Sequence, residues 1–163
     1  PLVIAQSEPL FDRMSQLKIP PRYRCVICKR FMFRVAAQLL SPEGSLALVT
    51  GENLGQVASQ TLANLSIISD AVTVPVLRPL ITYDKEETIS IARRIGTFDA
   101  KPGDLACRAV PKMPSTAAVL DEVRACELKM GIDTLVHHAV THRRFVTALD
   151  GKIVEETLFV QDS

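Results

Sequence analysis

Leu46-Ala-Leu-Val-Thr-Gly-Glu-Asn-Leu-Gly-Gln-Val-Ala-Ser-Gln60 is the stretch on which the fold turns. Leu46–Thr50 is a continuous apolar run that stops at a glycine, the pattern of a fully buried parallel strand. A helix is predicted to follow from about Leu54 to Ile68. In an open parallel sheet, ligands sit beyond the carboxyl ends of the strands, and helix N-termini attract anions. Gly51 admits close backbone approach, and Gln60 offers a donor and an acceptor suited to a base edge. The plainer alternative is an ordinary strand-to-helix turn with Glu52 and Asn53 near the helix start.

The same alternation extends outward. Leu2–Ala5 reads as a buried strand, Pro9–Leu17 as a short helical or irregular linker ended by Ile19-Pro20-Pro21, and Cys25–Leu40 as a helix. Cys28, Met32, Val35, Ala36 and Leu39 fall on one stripe of that helix. Pro42–Gly44 is a turn, and Ala71–Val76 is the next strand. Asp84-Lys-Glu-Glu87 is a capping box opening a helix that ends before Gly96. Ser115 is expected to cap a helix running to Met130 and closed by Gly131. Asp133–Thr141 is helical, and Phe145–Leu149, Asp150-Gly151 and Lys152–Val160 form a hairpin. The fold class is therefore α/β: an open, mostly parallel sheet with helices on both faces and a C-terminal hairpin. One domain is expected over 1–163, with 1–135 as the core and 136–163 as a tail helix and hairpin.

The chain has 163 residues, enough to bury a core without metals or disulfides. A net charge of +1 argues against indiscriminate nucleic-acid binding. No apolar run approaches the ~20 residues that cross a bilayer, so a soluble, cytoplasmic protein is expected. Pro1 rather than Met stands first, and Pro1–Ala5 is already strand-like; a fragment or a processed chain is expected.

Arg22-Tyr-Arg-Cys-Val-Ile-Cys-Lys-Arg-Phe-Met-Phe-Arg34 holds basic and aromatic residues and no acid. Cationic neighbours and a helix N-terminus lower a thiol pKa, which would make Cys25 and Cys28 reactive thiolates or soft-metal ligands. Arg30 and Arg34 share a face that could meet phosphates. The competing reading is a solvated basic face above two buried cysteines. His138 and His142 share a helix face, but with no third ligand beside them a helix-end role is favoured over a metal site.

Thr50-Gly-Glu-Asn-Leu-Gly-Gln-Val-Ala-Ser-Gln-Thr-Leu62 closely resembles the signature of the tRNA 4-thiouridine synthetase family, whose members also serve thiamine thiazole synthesis. The resemblance continues through Leu77-Arg-Pro-Leu-Ile81, Tyr83-Asp-Lys-Glu86, Ile91-Ala-Arg-Arg-Ile-Gly-Thr97 and, upstream, Lys29-Arg-Phe-Met32. It covers Tyr23 to Glu127 well and the tail beyond Leu135 poorly. It implies a PP-loop ATP pyrophosphatase-like fold and a sulfurtransferase that adenylates uridine with ATP before a sulfur nucleophile, either a Cys107 persulfide or a cluster-bound sulfide, displaces AMP. It also implies that Lys29, Gly51 and Gln60 contact ATP, and that Cys107, in Ala106-Cys-Arg-Ala-Val-Pro-Lys112, handles sulfur. The Cys25/Cys28 pair is similar to the archaeal-type variant, in which this pair and Cys107 hold an iron–sulfur cluster. Three thiolates leave one iron open for a sulfide. Cys126 is expected in the core. The implied partners are tRNA, ATP, a sulfur donor protein or sulfide, and a second copy in a homodimer.

The family's phosphate loop, Ser-Gly-Gly-x-Asp-Ser, does not occur in these residues. The chain is thus expected to be incomplete as a catalyst: a fragment, or a homologue needing a partner chain. The alternative function is a non-catalytic homologue that binds an iron–sulfur cluster, zinc or a partner protein.

Overall fold

The computed structural model describes residues 2–40, 44–98, 107, 111–149 and 152–158. Within Leu46–Gln60 a short strand forms, β2 (Leu48–Val49), which pairs in parallel with β3 (Val76–Leu77). A second sheet is antiparallel. β1 (Leu2–Ile4) lies along β4 (Arg144–Leu149), which forms a hairpin with β5 (Lys152–Leu158) and carries an irregularity between Thr147 and Ala148. The connecting Asp150-Gly151 lies outside the described residues.

The fold is α/β, as expected, but its sheets are small and one is antiparallel. The apolar start of the chain does not join the parallel strands. Its backbone donors and acceptors need a ladder, and the edge of β4 supplies one. As an edge strand β1 is exposed rather than buried, and Val49 in β2 is exposed as well.

Among the described residues six α-helices accompany these strands: α1 (Glu8–Gln16), α2 (Arg24–Leu40), α3 (Leu62–Ser69), α4 (Lys85–Arg94), α5 (Leu120–Met130) and α6 (Ile132–Thr141). Helix α2 is central. It presents Val26, Ile27, Phe31 and Val35 to a core shared with Leu10 and Met14 of α1, Ile68 of α3, Val123 of α5 and Val136 of α6. Recurrence at three- and four-residue intervals puts these side chains on one stripe. The stripe is rotated from the one predicted, since Met32 is exposed and Cys28 only half-buried. Gly131, at φ 65°, ends α5 in the left-handed conformation and turns the chain directly into α6.

Two predicted helix starts fall elsewhere. The helix expected from Leu54 is interrupted: Gly55 has φ 77°, residues 58–60 form a short 3-10 turn, and α3 begins only after Thr61. The Thr61 side chain accepts a hydrogen bond from the Asn64 backbone, an N-cap. Gln60 therefore sits in the turn and not within a helix. Ser115 does not cap α5, which starts after Val119; the Ser115 backbone is bonded to Arg22 and Asn64 instead. The Asp84/Glu87 capping box forms with both reciprocal bonds, 2.8 and 2.7 Å.

Candidate functional site

Because α2 begins just after the Pro20-Pro21 bend, its first two turns stand over the 3-10 turn at 58–60. Together with the segment around Pro114 they enclose a cavity of about 250 Å³. Cys25, Cys28 and Cys107 all line it, beside Lys29, Met32 and Ser59. Cysteines 25 and 28 come from successive turns of one helix face. Cys107 arrives from a segment far along the chain, and its immediate neighbours lie outside the described residues.

The two helical thiols are not activated. Burial first, and then Cys107, push the Cys25 thiol up, and Lys29 draws it only partly back. The Cys28 thiol is pushed up to about 11 by burial, Cys107 and Cys25, again against Lys29. This corrects the expectation of depressed thiol pKa values: desolvation and neighbouring thiols outweigh the nearby cation. A ligand that takes these sulfurs as thiolates must release their protons.

Lys29 bridges the cavity and the strand ends. Its Nζ donates to Glu52 Oε1 at 2.9 Å, and Arg78 Nε donates to Glu52 Oε2 at 2.8 Å. Glu52 thus ties α2 to the residues following β2 and β3. Thr50 Oγ1 lies 3.4 Å from the same carboxylate. Gln60 Oε1 is buried without a hydrogen-bond partner among the described residues, as is Asn53 Oδ1. A Cβ on Gly51 would meet nothing within 4 Å, so packing among the described residues does not demand glycine there. Gln60 and Lys29 therefore keep polar capacity that the described residues do not consume, which fits a polar ligand such as a nucleotide.

Arg30 and Arg34 are not a phosphate-binding face. Arg30 is 1 % exposed and donates to Glu127 at 2.8 and 3.0 Å, to Asp70 at 3.1 Å and to the Ile67 carbonyl. Arg34 adds two bonds to Glu127, at 2.6 and 3.1 Å. Burial would push the Glu127 carboxyl up, but the hydrogen bonds and charges of Arg30 and Arg34 hold it below the usual carboxylate range. Cys126 is half-buried against the core, as expected. The His138 and His142 rings stack with centroids 4.1 Å apart at the end of α6.

No three His, Cys, Asp or Glu side chains among the described residues stand close enough to hold a metal ion. The three thiols converge on one apolar space without forming a closed single-ion site. Their soft sulfur donors are of the kind that hold a thiolate-bound group once their protons have been released.

An α/β chain with a thiol-lined cavity beside the ends of a parallel strand pair shares its fold with a solved 4-thiouridine synthetase, crystallised as an RNA complex with bound ATP. The TM-score is 0.81 at 32 % identity, over 97 % of this chain and 39 % of that one. The family model described as "Thiamine biosynthesis protein (ThiI)" matches residues 2–132. The probable tRNA sulfurtransferase of Thermus thermophilus is 42 % identical over 134 residues, covering 80 % of this chain and 33 % of the relative. That of Methanocaldococcus jannaschii is 40 % identical over 124 residues, covering 76 % and 32 %. The chain belongs to the tRNA sulfurtransferase (ThiI) family. It spans about a third of the length of the curated relatives it matches.

Sequence reasoning missed the roles of Glu52, Asn64 and Arg78. Glu52 appeared only as a turn residue, although an acid just past a predicted strand, in a chain with a cation-rich segment at Arg22–Arg34, was an available signal. No helix among the described residues is long and apolar enough to cross a membrane.

Proposed function

We propose that this chain is the sulfur-handling and nucleotide-contacting part of a tRNA sulfurtransferase that makes 4-thiouridine. Lys29, Gly51 and Gln60 meet ATP or the uridine adenylate, and Cys25, Cys28 and Cys107 form the sulfur site. The observation that carries this reading is the single cavity lined by all three thiols beside Lys29, whose Glu52 tether leads to the strand ends. Membership of the family and the ATP-bound RNA complex of the structural neighbour support it.

In this reading ATP turns the uridine C4 oxygen into a leaving group and releases pyrophosphate. Sulfur then takes the place of AMP. The three cysteines would hold an iron–sulfur cluster, which when bound supplies an open iron for a sulfide. Their own task is to give up protons on binding and to keep water from the transfer, which the apolar lining formed with Met32 and Val57 assists. Lys29 offers positive charge toward phosphate or toward the thiolates. The gripping of pyrophosphate falls to a Ser-Gly-Gly-x-Asp-Ser loop, which must come from polypeptide beyond these 163 residues. A role in supplying sulfur for thiamine thiazole rests on the same site.

The test is anaerobic reconstitution with iron and sulfide, alongside equilibrium dialysis with ATP. A brown chromophore lost in Cys107→Ala, with ATP binding weakened by Lys29→Ala and by Gln60→Ala, is expected. A chromophore indifferent to Cys107, or ATP binding indifferent to both variants, removes the corresponding half of the proposal. A chromophore without any ATP binding favours the non-catalytic, cluster-binding homologue. Pyrophosphate release from the isolated chain with tRNA would refute its dependence on an outside phosphate loop.

A further inference from the structure

The thiol cavity is lined by two helices, α2 and, through Phe11, α1, and by residues outside the α-helices: the turn at 57–59, Cys107 and Pro114. Short irregular segments have little packing of their own to hold them, so their relative placement must come from specific bonds.

Those bonds converge on one side chain. Asn64, in the first turn of α3, is 0 % exposed. Its Nδ2 donates to the Ala58 carbonyl at 2.8 Å and to the Ser115 carbonyl at 2.8 Å. Its Oδ1 accepts from the Ala118 backbone N–H at 2.9 Å. Both amide hydrogens are used, together with one oxygen lone pair. None of the three bonds goes to its own helix. One goes to the turn, and two go to the segment after Cys107. Next to it, Thr61 Oγ1 donates to the Thr116 carbonyl at 2.5 Å, and the Ser115 N–H donates to the Arg22 carbonyl, just ahead of α2, at 2.9 Å.

We propose that Asn64 is the positioning residue of this site, fastening the 57–59 turn to the 115–118 segment and thereby fixing where Cys107 stands against Cys25 and Cys28. This rests on the reading that the three thiols work together. The side-chain chemistry is specific. Leucine would fill the space and hold neither wall. Aspartate keeps the acceptor but sets a carboxylate against the Ala58 and Ser115 carbonyls. An amide of this length satisfies all three backbone groups at once. It is a polar residue buried where an apolar one would suffice for packing, and it works on the two loops that carry the cavity. By linking the turn that includes Gln60 to the segment that follows Cys107, it also joins the nucleotide half of the site to the sulfur half.

The experiment is thiol bridging with dibromobimane on the whole chain, with bridged peptides mapped by mass spectrometry. Each yield is normalised to the Cys25–Cys28 bridge, which depends on α2 alone. Far-UV circular dichroism confirms that each variant is folded. In the wild type Cys107 bridges to Cys25 or Cys28. In Asn64→Ala that normalised yield falls about tenfold, and in Thr61→Val, which removes two bonds (to the Thr116 carbonyl and from the Asn64 N–H) rather than three, about threefold. A general loosening of the protein would lower both kinds of bridge together and leave the ratio unchanged. If Asn64→Ala does not fold, Thr61→Val carries the comparison. Unchanged ratios in the folded variants overturn the positioning role and leave the shared thiol site standing. Absence of any Cys107 bridge in the wild type overturns the shared site and the positioning role with it.

Discussion

Lys29 and Arg30 are neighbours on α2 and belong to two polar clusters of opposite character. Arg30 enters a closed cluster: Glu127, Asp70 and the Ile67 carbonyl surround its guanidinium, Arg34 completes the Glu127 carboxylate, and Arg124 reaches Asp70 at 2.7 Å. Lys29 enters an open one. It has a single ion-pair partner among the described residues, keeps 20 % of its side chain exposed, and looks onto thiols that burial keeps protonated. Buried charges that satisfy one another hold helices in place, whereas polar groups with unspent capacity mark where a ligand is awaited. A single step along the helix, a rotation of about 100°, thus separates a structural joint from the proposed chemical site.

The largest test of this contrast removes the hub of the closed cluster. Glu127→Ala leaves Arg30 buried with Asp70 and the Ile67 carbonyl, and Arg34 without its bidentate partner. A loss of about 3–5 kcal/mol in urea denaturation is expected. A loss below about 1 kcal/mol would show that the network is ornamental and the contrast unfounded.

A pH titration sharpens the same point. Burial raises the carboxyls of Glu127 and Asp70, but their arginine partners more than offset it and hold both below the ordinary range. A depressed folded pKa means that the unfolded chain binds the proton more readily. The stability these groups contribute is therefore present above the unfolded carboxylate value. It is lost as pH falls through that value toward the folded one. Denaturation midpoints should drop along this acid limb in the wild type. In Glu127→Gln the limb should be shallower, by about one group's share of the slope.

How much of this was legible in the sequence depends on how far apart the interacting residues lie. The capping box at Asp84, the α5 stop at Gly131 and the hairpin strands are set by neighbours within a few positions, and each forms where the local pattern puts it. Arg30 was misread because a charge within a helix is ordinarily solvated, and the carboxylate that buries it stands 97 positions later. The three cysteines were brought together by family resemblance, since spacing alone pairs Cys25 with Cys28 and says nothing of Cys107. The helix expected from Leu54 failed on a local feature, the left-handed Gly55, which apolar periodicity does not register. Asn64 carried no signal at all, because its bonds go to backbone atoms that any sequence would supply.

Lys29→Ala probes the open cluster. Arg78 still satisfies Glu52, and the lost ion pair is partly exposed, so a stability cost of at most about 1 kcal/mol is expected. A cost matching that of Glu127→Ala would make Lys29 a structural residue and erase the distinction between the two clusters.

The smallest effect on the fold as a whole is expected in a region that belongs to neither cluster. Helix α4 has no buried residue, so its order depends on local terms. Chief among them is the Asp84 side chain, which accepts from the Glu87 N–H while Glu87 returns a bond to the Asp84 N–H. Asp84→Ala removes one bond of this pair and a negative charge from the helix N-terminus, where the dipole favours it. The expected cost is about 1 kcal/mol, and it should be local. Amide exchange within Lys85–Arg94 should accelerate roughly fivefold, while exchange at Arg30 and the global denaturation midpoint stay where they were. Equal acceleration in α2 would mean that α4 is coupled to the core through contacts beyond its cap. The line between the closed joint and its surroundings would then have to be drawn further out.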